Sequence, residues 1–236
     1  RYLDWPKLEG DTVITSDWHI PYHDVDLANR MIEMSHKFNI RQLIIGGDLF
    51  DLSPFSPFVK DDLQDTLESE LCEAERIMEA LFDSFDKIVL ITGNHERRIN
   101  RILDNQLTPK RLKMMFCNND NFTLSEYPFC VLDNKWRITH PASYSRIRGR
   151  VANTLALKYR QNIIMAHGHQ IGITPDDSAR QICIDSGGMF DVTKVAYNTL
   201  RETTHPEWQA GFIIIKNDSP YVFSDKLNTD WGFWLK

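Results

Sequence analysis

The chain has 236 residues, of which 42% are hydrophobic, so it can bury a sizeable core, and we expect one domain over residues 1–236. No apolar run approaches about 18 residues and no signal-peptide pattern is present, which argues against a membrane protein. The net charge of −6 by itself argues against a general nucleic-acid binder. The 4 cysteines are widely spaced without a C-x-x-C pair, so free, mostly buried thiols in a cytoplasmic protein are the simplest interpretation.

The first half of the chain alternates strands and helices. The pattern predicts strands at 11–16, 42–48 and 87–92 and helices at 24–38 and 61–82. Asp24 is the expected N-cap of the first helix, and Asp61, Asp62 and Asp65 lie in the first turn of the second, where the helix dipole favours anions. Together these elements form two βαβ units of a mainly parallel sheet covered by helices.

A proline-interrupted aromatic loop at 53–58 can continue neither a helix nor a strand. Two interpretations of its aromatic residues stay open. Phe55 and Phe58 either fill the packing beside the strand that ends at Asp48 or form a lip that stacks on a substrate.

After residue 96 the pattern changes. It predicts short helices at 97–103 and 109–116, a hairpin at 129–132 and 136–140, a basic helix at 145–159, and strands at 163–166, 181–185, 208–215 and 221–224. The basic helix is expected to turn Ile147, Val151 and Leu155 inward. The last three strands predict a second, more antiparallel sheet packed against the first. Trp231 and Trp234 fit either a buried cap or a dimer contact, so both a monomer and a homodimer are consistent with the sequence.

Charge is unevenly distributed along the chain. The segment 97–160, with its predicted helices and hairpin, carries 13 Lys/Arg against 4 Asp/Glu, whereas the remainder carries 14 against 29. This basic segment suggests a polyanionic substrate lying along the middle of the chain. A solvated helical surface explains the same charges equally well, because the sequence does not show whether they share a face.

Polar side chains follow five of the predicted strands. They occur in Asp17-Trp18-His19, Gly46-Gly47-Asp48, Gly93-Asn94-His95-Glu96, His140 and His167-Gly168-His169. If these strands lie side by side and point the same way, the five clusters converge on one edge of a sheet, the edge at which open α/β sheets bind ligands. Two divalent ions roughly 3.5 to 4 Å apart need a bridging carboxylate together with oxygen and imidazole donors. Asp48 is well placed to bridge.

The motifs Asp17-x-His19, Gly47-Asp48-x-x-Asp51, Gly93-Asn94-His95-Glu96, His140 and His167-Gly168-His169, in this order, resemble those of the calcineurin-like metallophosphoesterase superfamily. The resemblance implies an α/β fold, a four-layer αββα sandwich of two mixed β-sheets flanked by helices, with the metal site at the C-terminal edge of the strands. It also implies two divalent metal ions. Mn²⁺ is the expected metal, and Fe, Zn²⁺ and Ni²⁺ suit the same donors.

The resemblance further implies a role for each motif residue. One ion would be bound by Asp17, His19, Asp48 and His169, and the other by Asp48, Asn94, His140 and His167. A hydroxide between the metals would attack phosphorus opposite the leaving oxygen. His95 would protonate that oxygen or steady the phosphoryl charge, and Asp51 would orient His95.

Departures from the family pattern narrow the range of expected activities. Leu52-Ser53 follows Asp51, where the protein phosphatases of the family carry Arg-Gly, and nothing after His169 corresponds in length to the capping domain of the double-strand-break nucleases. These departures argue against a protein phosphatase and a processive nuclease complex. Because the middle segment is basic and the site has no obvious lysine pocket for a terminal dianion, we expect a phosphodiesterase acting on cyclic nucleotides or nucleic-acid strands, with a phosphomonoesterase or nucleotidase as the alternative. A hypothesis of another class is a non-catalytic binding scaffold, as in the retromer subunit that resembles this family.

Candidate substrate contacts lie beside the motifs. Arg97 and Arg98 follow the Gly93 to Glu96 turn and are able to hold a phosphate, and Tyr144 follows His140. His23 sits just past the first cluster, where it either reaches substrate or takes part in loop hydrogen bonds. For the two arginines, a solvent-facing helix start is the competing interpretation.

Overall fold

A computed structural model describes residues 4–56, 66–104, 106, 113, 119–194 and 208–236. Within these ranges the strands are β1 (Lys7–Leu8), β2 (Thr12–Thr15), β3 (Gln42–Ile45), β4 (Lys87–Leu90), β5 (Phe122–Leu124), β6 (Phe129–Leu132), β7 (Trp136–Thr139), β8 (Asn162–Met165), β9 (Ile171–Pro175), β10 (Ile182–Ser186), β11 (Phe212–Lys216) and β12 (Ser219–Phe223). The α-helices are α1 (Val25–Lys37), α2 (Leu67–Ser84), α3 (Glu96–Ile102), α4 (Arg150–Tyr159) and α5 (Trp231–Trp234). Short 3₁₀ helices lie at Ser53–Phe55 and Asp225–Leu227.

The strands form two six-stranded mixed sheets. The first has the order β12-β11-β2-β3-β4-β5 and the second the order β1-β6-β7-β8-β10-β9. In the first sheet β2 to β5 are parallel, and β11 pairs antiparallel with β2. In the second sheet β7, β8 and β10 are parallel neighbours.

This topology corrects two expectations. The motif-bearing strands do not lie side by side in one sheet, since β2, β3 and β4 belong to the first sheet and β7 and β8 to the second. The C-terminal strands do not form one sheet of their own: β10 joins the second sheet, whereas β11 and β12 extend the first. The reason is burial, because four consecutive residues of β11 are buried and such a strand is stable only between neighbours, here β12 and β2.

Side-chain alternation along the strands separates three apolar layers. Val13 and Leu43 face α1 and α2, whereas their neighbours Ile14 and Ile44 face the second sheet, where they meet Trp136. On the far side of the second sheet, strand residues pack against α4 in a smaller cluster. Helices therefore cover both outer faces of two stacked sheets, and the predicted αββα sandwich is confirmed.

Helix α1 forms as predicted, with the Asp24 carboxylate accepting a hydrogen bond from the Leu27 N–H. Helix α2 starts later than predicted. Thr66 has an extended backbone and, with Ser69, forms a capping box, so the helix begins at Leu67 rather than at residue 61. The aspartates expected in its first turn, at 61, 62 and 65, lie outside the described residues, as do Phe58 and, apart from residue 113, the helix expected at 109–116.

The basic helix is also shorter than predicted. Gly149 adopts φ +75° at its start, so α4 begins at Arg150, and Ile147 is 60% exposed instead of buried. The fully buried residues of its inward face are the small Ala152 and Ala156, and the partly buried Val151 and Leu155 pack beside them as predicted. Small side chains give the sequence pattern too little contrast to mark this face, which explains the error.

Strands β1, β5 and β9 were not predicted, since the first two have only two or three residues and the last alternates without a strong apolar face. At the C-terminus, the rings of Trp231 and Trp234 pack on Phe223. In the described part of the chain, none of the helices combines the length and hydrophobicity that a membrane crossing requires.

Candidate metal centre

The polar clusters meet where both sheets end. Left-handed backbone recurs at this point, in residues that are not glycine: φ is 50° at Asp17, 47° at His19, 51° at Asp48, 75° at His167 and 52° at His169. Each such residue costs about 1–3 kcal/mol unless the surrounding structure enforces it, and such strain concentrates at functional sites. These sharp turns end the strands and gather the side chains into one cluster.

Two glycines allow the strand ends to come this close together. A Cβ on Gly47 would meet His140 Nδ1 at 2.6 Å, and a Cβ on Gly93 would meet the Asp48 carboxylate at 2.1 Å. Gly47 also has φ +93°, a conformation that side chains rarely adopt. Any side chain at either position would therefore push apart two of the converging strand ends.

Asp17 and Asp48 are fully buried carboxylates at the centre of the cluster. Asp17 Oδ1 lies 3.1 Å from His169 Nε2, and Asp48 Oδ2 lies 3.4 Å from His140 Nε2. Burial by itself raises the pKa of Asp17, but the charge and hydrogen bond of His169 lower it to about 2. In the same way His140 and His95 hold the pKa of Asp48 well below its ordinary value, against the effect of burial. Both groups are carboxylates at neutral pH.

The histidines direct their Nε2 atoms into the cluster. His140 Nδ1 lies 2.8 Å from the Gly46 carbonyl oxygen, which can only accept, so Nδ1 donates and Nε2 faces inward. His19 Nδ1 is likewise held by the Asp51 carboxylate at 2.9 Å, and His19 Nε2 lies 3.4 Å from His169 Nε2. Such partners on the outer nitrogen are the usual way of orienting a metal-binding imidazole.

Three overlapping groups of these side chains place one ligand atom from each residue within 4.8 Å of the others. The groups are Asp17, His19 and His169; His19, Asp48 and His95; and Asp48, His140 and His167. Asn94 adds an amide oxygen 3.0 Å from His140 Nε2. Mixed carboxylate, amide and imidazole donors suit divalent transition-metal ions, so the residues fit the metals implied by the sequence.

The electrostatics of the cluster agree with this fit. Burial lowers the pKa of His140, but Asp48 outweighs burial and raises it to about 9. Burial and the neighbouring His140 lower the pKa of His167 to about 4, so that ring stays neutral. The raised pKa of His140 shows that the carboxylates favour positive charge at this position, and the neutral His167 keeps an imidazole lone pair available for a cation.

His95 stands at the edge of the cluster on the turn before α3. Its Nδ1 lies 2.7 Å from the Asp51 main-chain oxygen, whereas the Asp51 carboxylate is 3.4 Å away and engages His19. Asp51 thus contacts both rings, His95 mainly through its backbone. Despite burial, which lowers it, the Asp48 and Asp51 carboxylates raise the pKa of His95.

The four candidate substrate contacts divide into two pairs. Arg98 donates from Nη2 to His95 Nε2 at 2.8 Å, and the Tyr144 ring, 57% exposed, lies 5.8 Å from that of His167. Arg97, at the preceding position of α3, is exposed. His23 is buried, and its Nε2 lies 3.9 Å from a Glu73 carboxylate oxygen, so it braces α2 rather than facing the cluster.

Sequence reasoning assigned no role to Glu96, although it lies in a quoted motif. Its buried carboxylate accepts hydrogen bonds from the backbone N–H groups of Gly93 at 2.8 Å, Asp48 at 3.0 Å and Leu49 at 2.8 Å. Glu96 therefore ties the turn after β3 to the turn after β4. A glutamate directly before the predicted helix at 97–103 was the available signal, but the same position also favours ordinary helix-dipole interactions.

Two aromatic residues were also missed. Phe190 lies 5.0 Å from the His19 ring and 4.9 Å from the His169 ring, and Trp208 lies 4.7 Å from the His169 ring. They wall one side of the cluster and limit the rotation of these imidazoles. Neither residue follows an apolar strand or a recognisable motif, so the sequence carried no signal for them.

Fold and site define the class: a metal-binding αββα protein whose donor cluster lies at the shared edge of two mixed sheets. Residues 11–192 match the calcineurin-like phosphoesterase family, and the chain belongs to this family. Membership supports a metal-dependent phosphoesterase. Among curated proteins, no sequence matches this chain significantly.

A solved structure shows the same fold. The chain is similar to Yfce, a phosphoesterase from E. coli, with a TM-score of 0.51 and 15% identity over 93% of this chain and 95% of that chain. It is less similar to Vacuolar Protein Sorting 29 from Cryptosporidium parvum, with a TM-score of 0.42 and 12% identity over 91% of this chain and 98% of that chain.

Proposed function

We propose that the chain is a phosphodiesterase that hydrolyses nucleotide or nucleic-acid phosphodiesters with two divalent cations. The observation that carries the proposal is the position of Asp48, which belongs to two of the overlapping donor groups. Asp17, His19, Asp48 and His169 would hold one cation, and Asp48, Asn94, His140 and His167 the other. Bound there, two cations would supply charge neutralisation at phosphorus and lower the pKa of a water nucleophile.

His95 and Arg98 are placed to serve the leaving group. A guanidinium can only donate, so His95 Nε2 accepts from Arg98 in this arrangement. A phosphoryl oxygen of the substrate would attract the Arg98 guanidinium and release Nε2. The raised pKa of His95 then favours a proton on this atom, from which the departing oxygen takes it.

A diester is preferred over a monoester because of the charges that flank the cluster. Among the described residues, Arg98 is the cation in contact with His95, and one cation suits the single negative charge of a diester. In the basic segment, the exposed residues Arg146, Arg148 and Arg150 follow Tyr144, whose ring lies 5.8 Å from that of His167. Their charge and the exposed ring are consistent with a chain or base extending from the reacting phosphate.

Cation identity and assembly extend this proposal. We expect Mn²⁺ to give the highest activity, with Fe, Zn²⁺ and Ni²⁺ also suiting the N/O donors. The cytoplasmic location and the monomeric or homodimeric state stay predictions. The buried Cys130 and Cys183 thiols, whose pKa values burial raises to about 12 and about 11, are compatible with such a location.

The test compares hydrolysis of bis-p-nitrophenyl phosphate and p-nitrophenyl phosphate by metal-stripped protein reconstituted with Mn²⁺. We expect faster diester cleavage that requires the metal and falls by roughly two or more orders of magnitude in His95→Ala. His36→Ala, a change of an exposed histidine on α1, is the matched control. A preference for the monoester would make the protein a phosphatase. Inactivity on both esters with metal bound would support the scaffold hypothesis.

A further inference from the structure

A buried carboxyl group outside the family motifs lies behind the cluster. Glu70, on the first turn of α2, is 1% exposed, and its Oε1 accepts a hydrogen bond from the Leu52 N–H at 2.7 Å. Its Oε2 is buried without a hydrogen-bond partner among the described residues. An isolated buried carboxyl of this kind is costly, which suggests that it serves the group it contacts.

The contacted group is the peptide that joins Asp51 to Leu52. Its N–H points to Glu70, and its C=O accepts hydrogen bonds from His95 Nδ1 at 2.7 Å and from Arg98 Nη1 at 2.6 Å. Because a peptide unit is planar, fixing the direction of the N–H fixes the direction of the C=O. The next residue, Leu52, has φ 51°, a strained conformation that needs such an anchor.

We propose that Glu70 is a positioning residue, which holds the Asp51–Leu52 peptide so that its carbonyl keeps His95 and Arg98 directed at the substrate phosphate. This inference rests on the proposed function, in which His95 protonates the leaving group. Helix α2 thereby contributes to catalysis without touching substrate. His95 and Arg98 are two hydrogen-bond donors oriented through the one Asp51 carbonyl oxygen, so a small rotation of this peptide moves both.

The contact needs an acceptor atom and not a negative charge. Burial raises the pKa of Glu70 to about 8, in spite of the Leu52 N–H, which lowers it. The side chain is therefore largely a neutral acid at neutral pH, and its carbonyl oxygen still accepts from Leu52. Glutamine has the same shape and also offers an acceptor oxygen, whereas methionine keeps the volume and lacks a strong acceptor.

The experiment compares Glu70→Gln and Glu70→Met with Glu79→Met, a change of an exposed residue on the same helix. Aryl phosphodiesters of increasing leaving-group pKa are the substrates. We expect Glu70→Met to lower kcat by about 10- to 100-fold with a nearly unchanged KM, and Glu70→Gln to stay within about threefold of the parent protein. The metal content measured on each folded variant should stay the same.

Leaving-group dependence distinguishes positioning from general loss of structure. If Glu70 acts through His95 and Arg98, the loss in Glu70→Met grows as the leaving group becomes poorer, and Glu70→Met causes a smaller fold-loss of activity in a His95→Ala background than in the parent protein. Independent, multiplying losses would overturn the proposal, and so would equal kcat values for Glu70→Met and Glu79→Met. Should Glu70→Met not fold, Glu70→Asp, which withdraws the carboxyl from Leu52 by one methylene, takes its place with the same expectations.

A failure of the proposed function can be told apart from a failure of the role proposed for Glu70. A His95→Ala variant as active as the parent protein would refute proton donation by His95, whatever Glu70 does. A strong effect of His95→Ala with none of Glu70→Met would refute only the role of Glu70.

Discussion

The two sheets contribute unequal halves to the candidate metal centre. The first-sheet half, formed by Asp17, His19, Asp48, Asn94 and His95, is held from behind by the buried carboxyl groups of Glu70 and Glu96. Glu96 accepts from three backbone N–H groups of its turns at 3.0 Å or less, and Glu70 accepts from a fourth. These carboxyl groups hold the turns after β3 and β4.

The second-sheet half, formed by His140, His167 and His169, takes its orientation from the first. His140 donates to the Gly46 oxygen, the His167 N–H donates to Asp17 Oδ2 at 3.1 Å, and His169 Nε2 lies beside Asp17 Oδ1. A change in the first half should therefore disturb both halves, whereas a change in the second should stay local. Single substitutions in each half distinguish these two outcomes.

Equivalent glycine substitutions should give the largest difference between the halves. A Cβ on Gly93 would lie 2.1 Å from Asp48 Oδ1, whereas a Cβ on Gly168 would meet only the flexible end of Met165, at 3.1 Å. We expect Gly93→Ala to lower kcat/KM by about 100-fold or more and Gly168→Ala by less than about tenfold, since small displacements of reacting groups are costly. Diester hydrolysis and bound metal per chain measure both effects. Similar losses in the two variants would contradict the asymmetry.

Removal of the Glu96 acceptor should have the next largest effect. In the parent protein, buried backbone N–H groups donate to the carboxylate oxygens of Glu96. Glu96→Gln replaces one of these oxygens with an amide NH₂ group, which leaves buried donors unsatisfied. We expect a loss of about 2–4 kcal/mol in the free energy of unfolding. Metal affinity should fall by roughly 10- to 100-fold, as for other residues that orient ligands. Urea unfolding and metal titration measure the two quantities.

The control for this substitution is Glu79→Gln, which changes an exposed residue of α2 and should leave stability and metal affinity unaltered. Unchanged metal affinity in a destabilised Glu96→Gln protein would show that Glu96 supports the fold but does not set the ligand geometry.

The smallest effect is expected behind the second-sheet half. Asp185 is buried, accepts from the Gly149 N–H, and burial raises its pKa from 3.8 to about 6. A raised carboxyl pKa stabilises the fold below the unfolded-state pKa, and this contribution is lost as pH rises through about 6. Relative to Asp185→Asn, the parent protein should lose at most about 3 kcal/mol between about pH 4 and about pH 8.

Urea unfolding of both proteins at the two ends of this range measures the difference. Diester hydrolysis by Asp185→Asn should stay close to that of the parent protein, because the change lies outside the first-sheet half. A stability difference that does not vary with pH would refute the raised pKa.

Much of this arrangement was predictable because its signals are local. Apolar strands followed by Asp, His and Asn gave the cluster, and Asp24 gave the start of α1, since strand ends and N-caps depend on neighbouring residues. The order of the strands was not predictable, because the apolar run of β11 looks the same whichever sheet it joins. The role of Glu70 was not predictable for a related reason. An acidic residue in the first turn of a helix is ordinary, and only the fold brings Glu70 to Leu52.

Ligands drawn from both sheets have a thermodynamic consequence. The Asp17, His19 and His169 group and the Asp48, His140 and His167 group each combine side chains from the two sheets, so neither exists until the sheets have packed together. Cations that occupy these groups would act as cross-links across the interface of the sandwich, absent from the unfolded chain. At a free concentration about 100 times the Kd, one such ion stabilises the native state by about 2.7 kcal/mol. Chelation should thus loosen the contact between the sheets as well as stop catalysis.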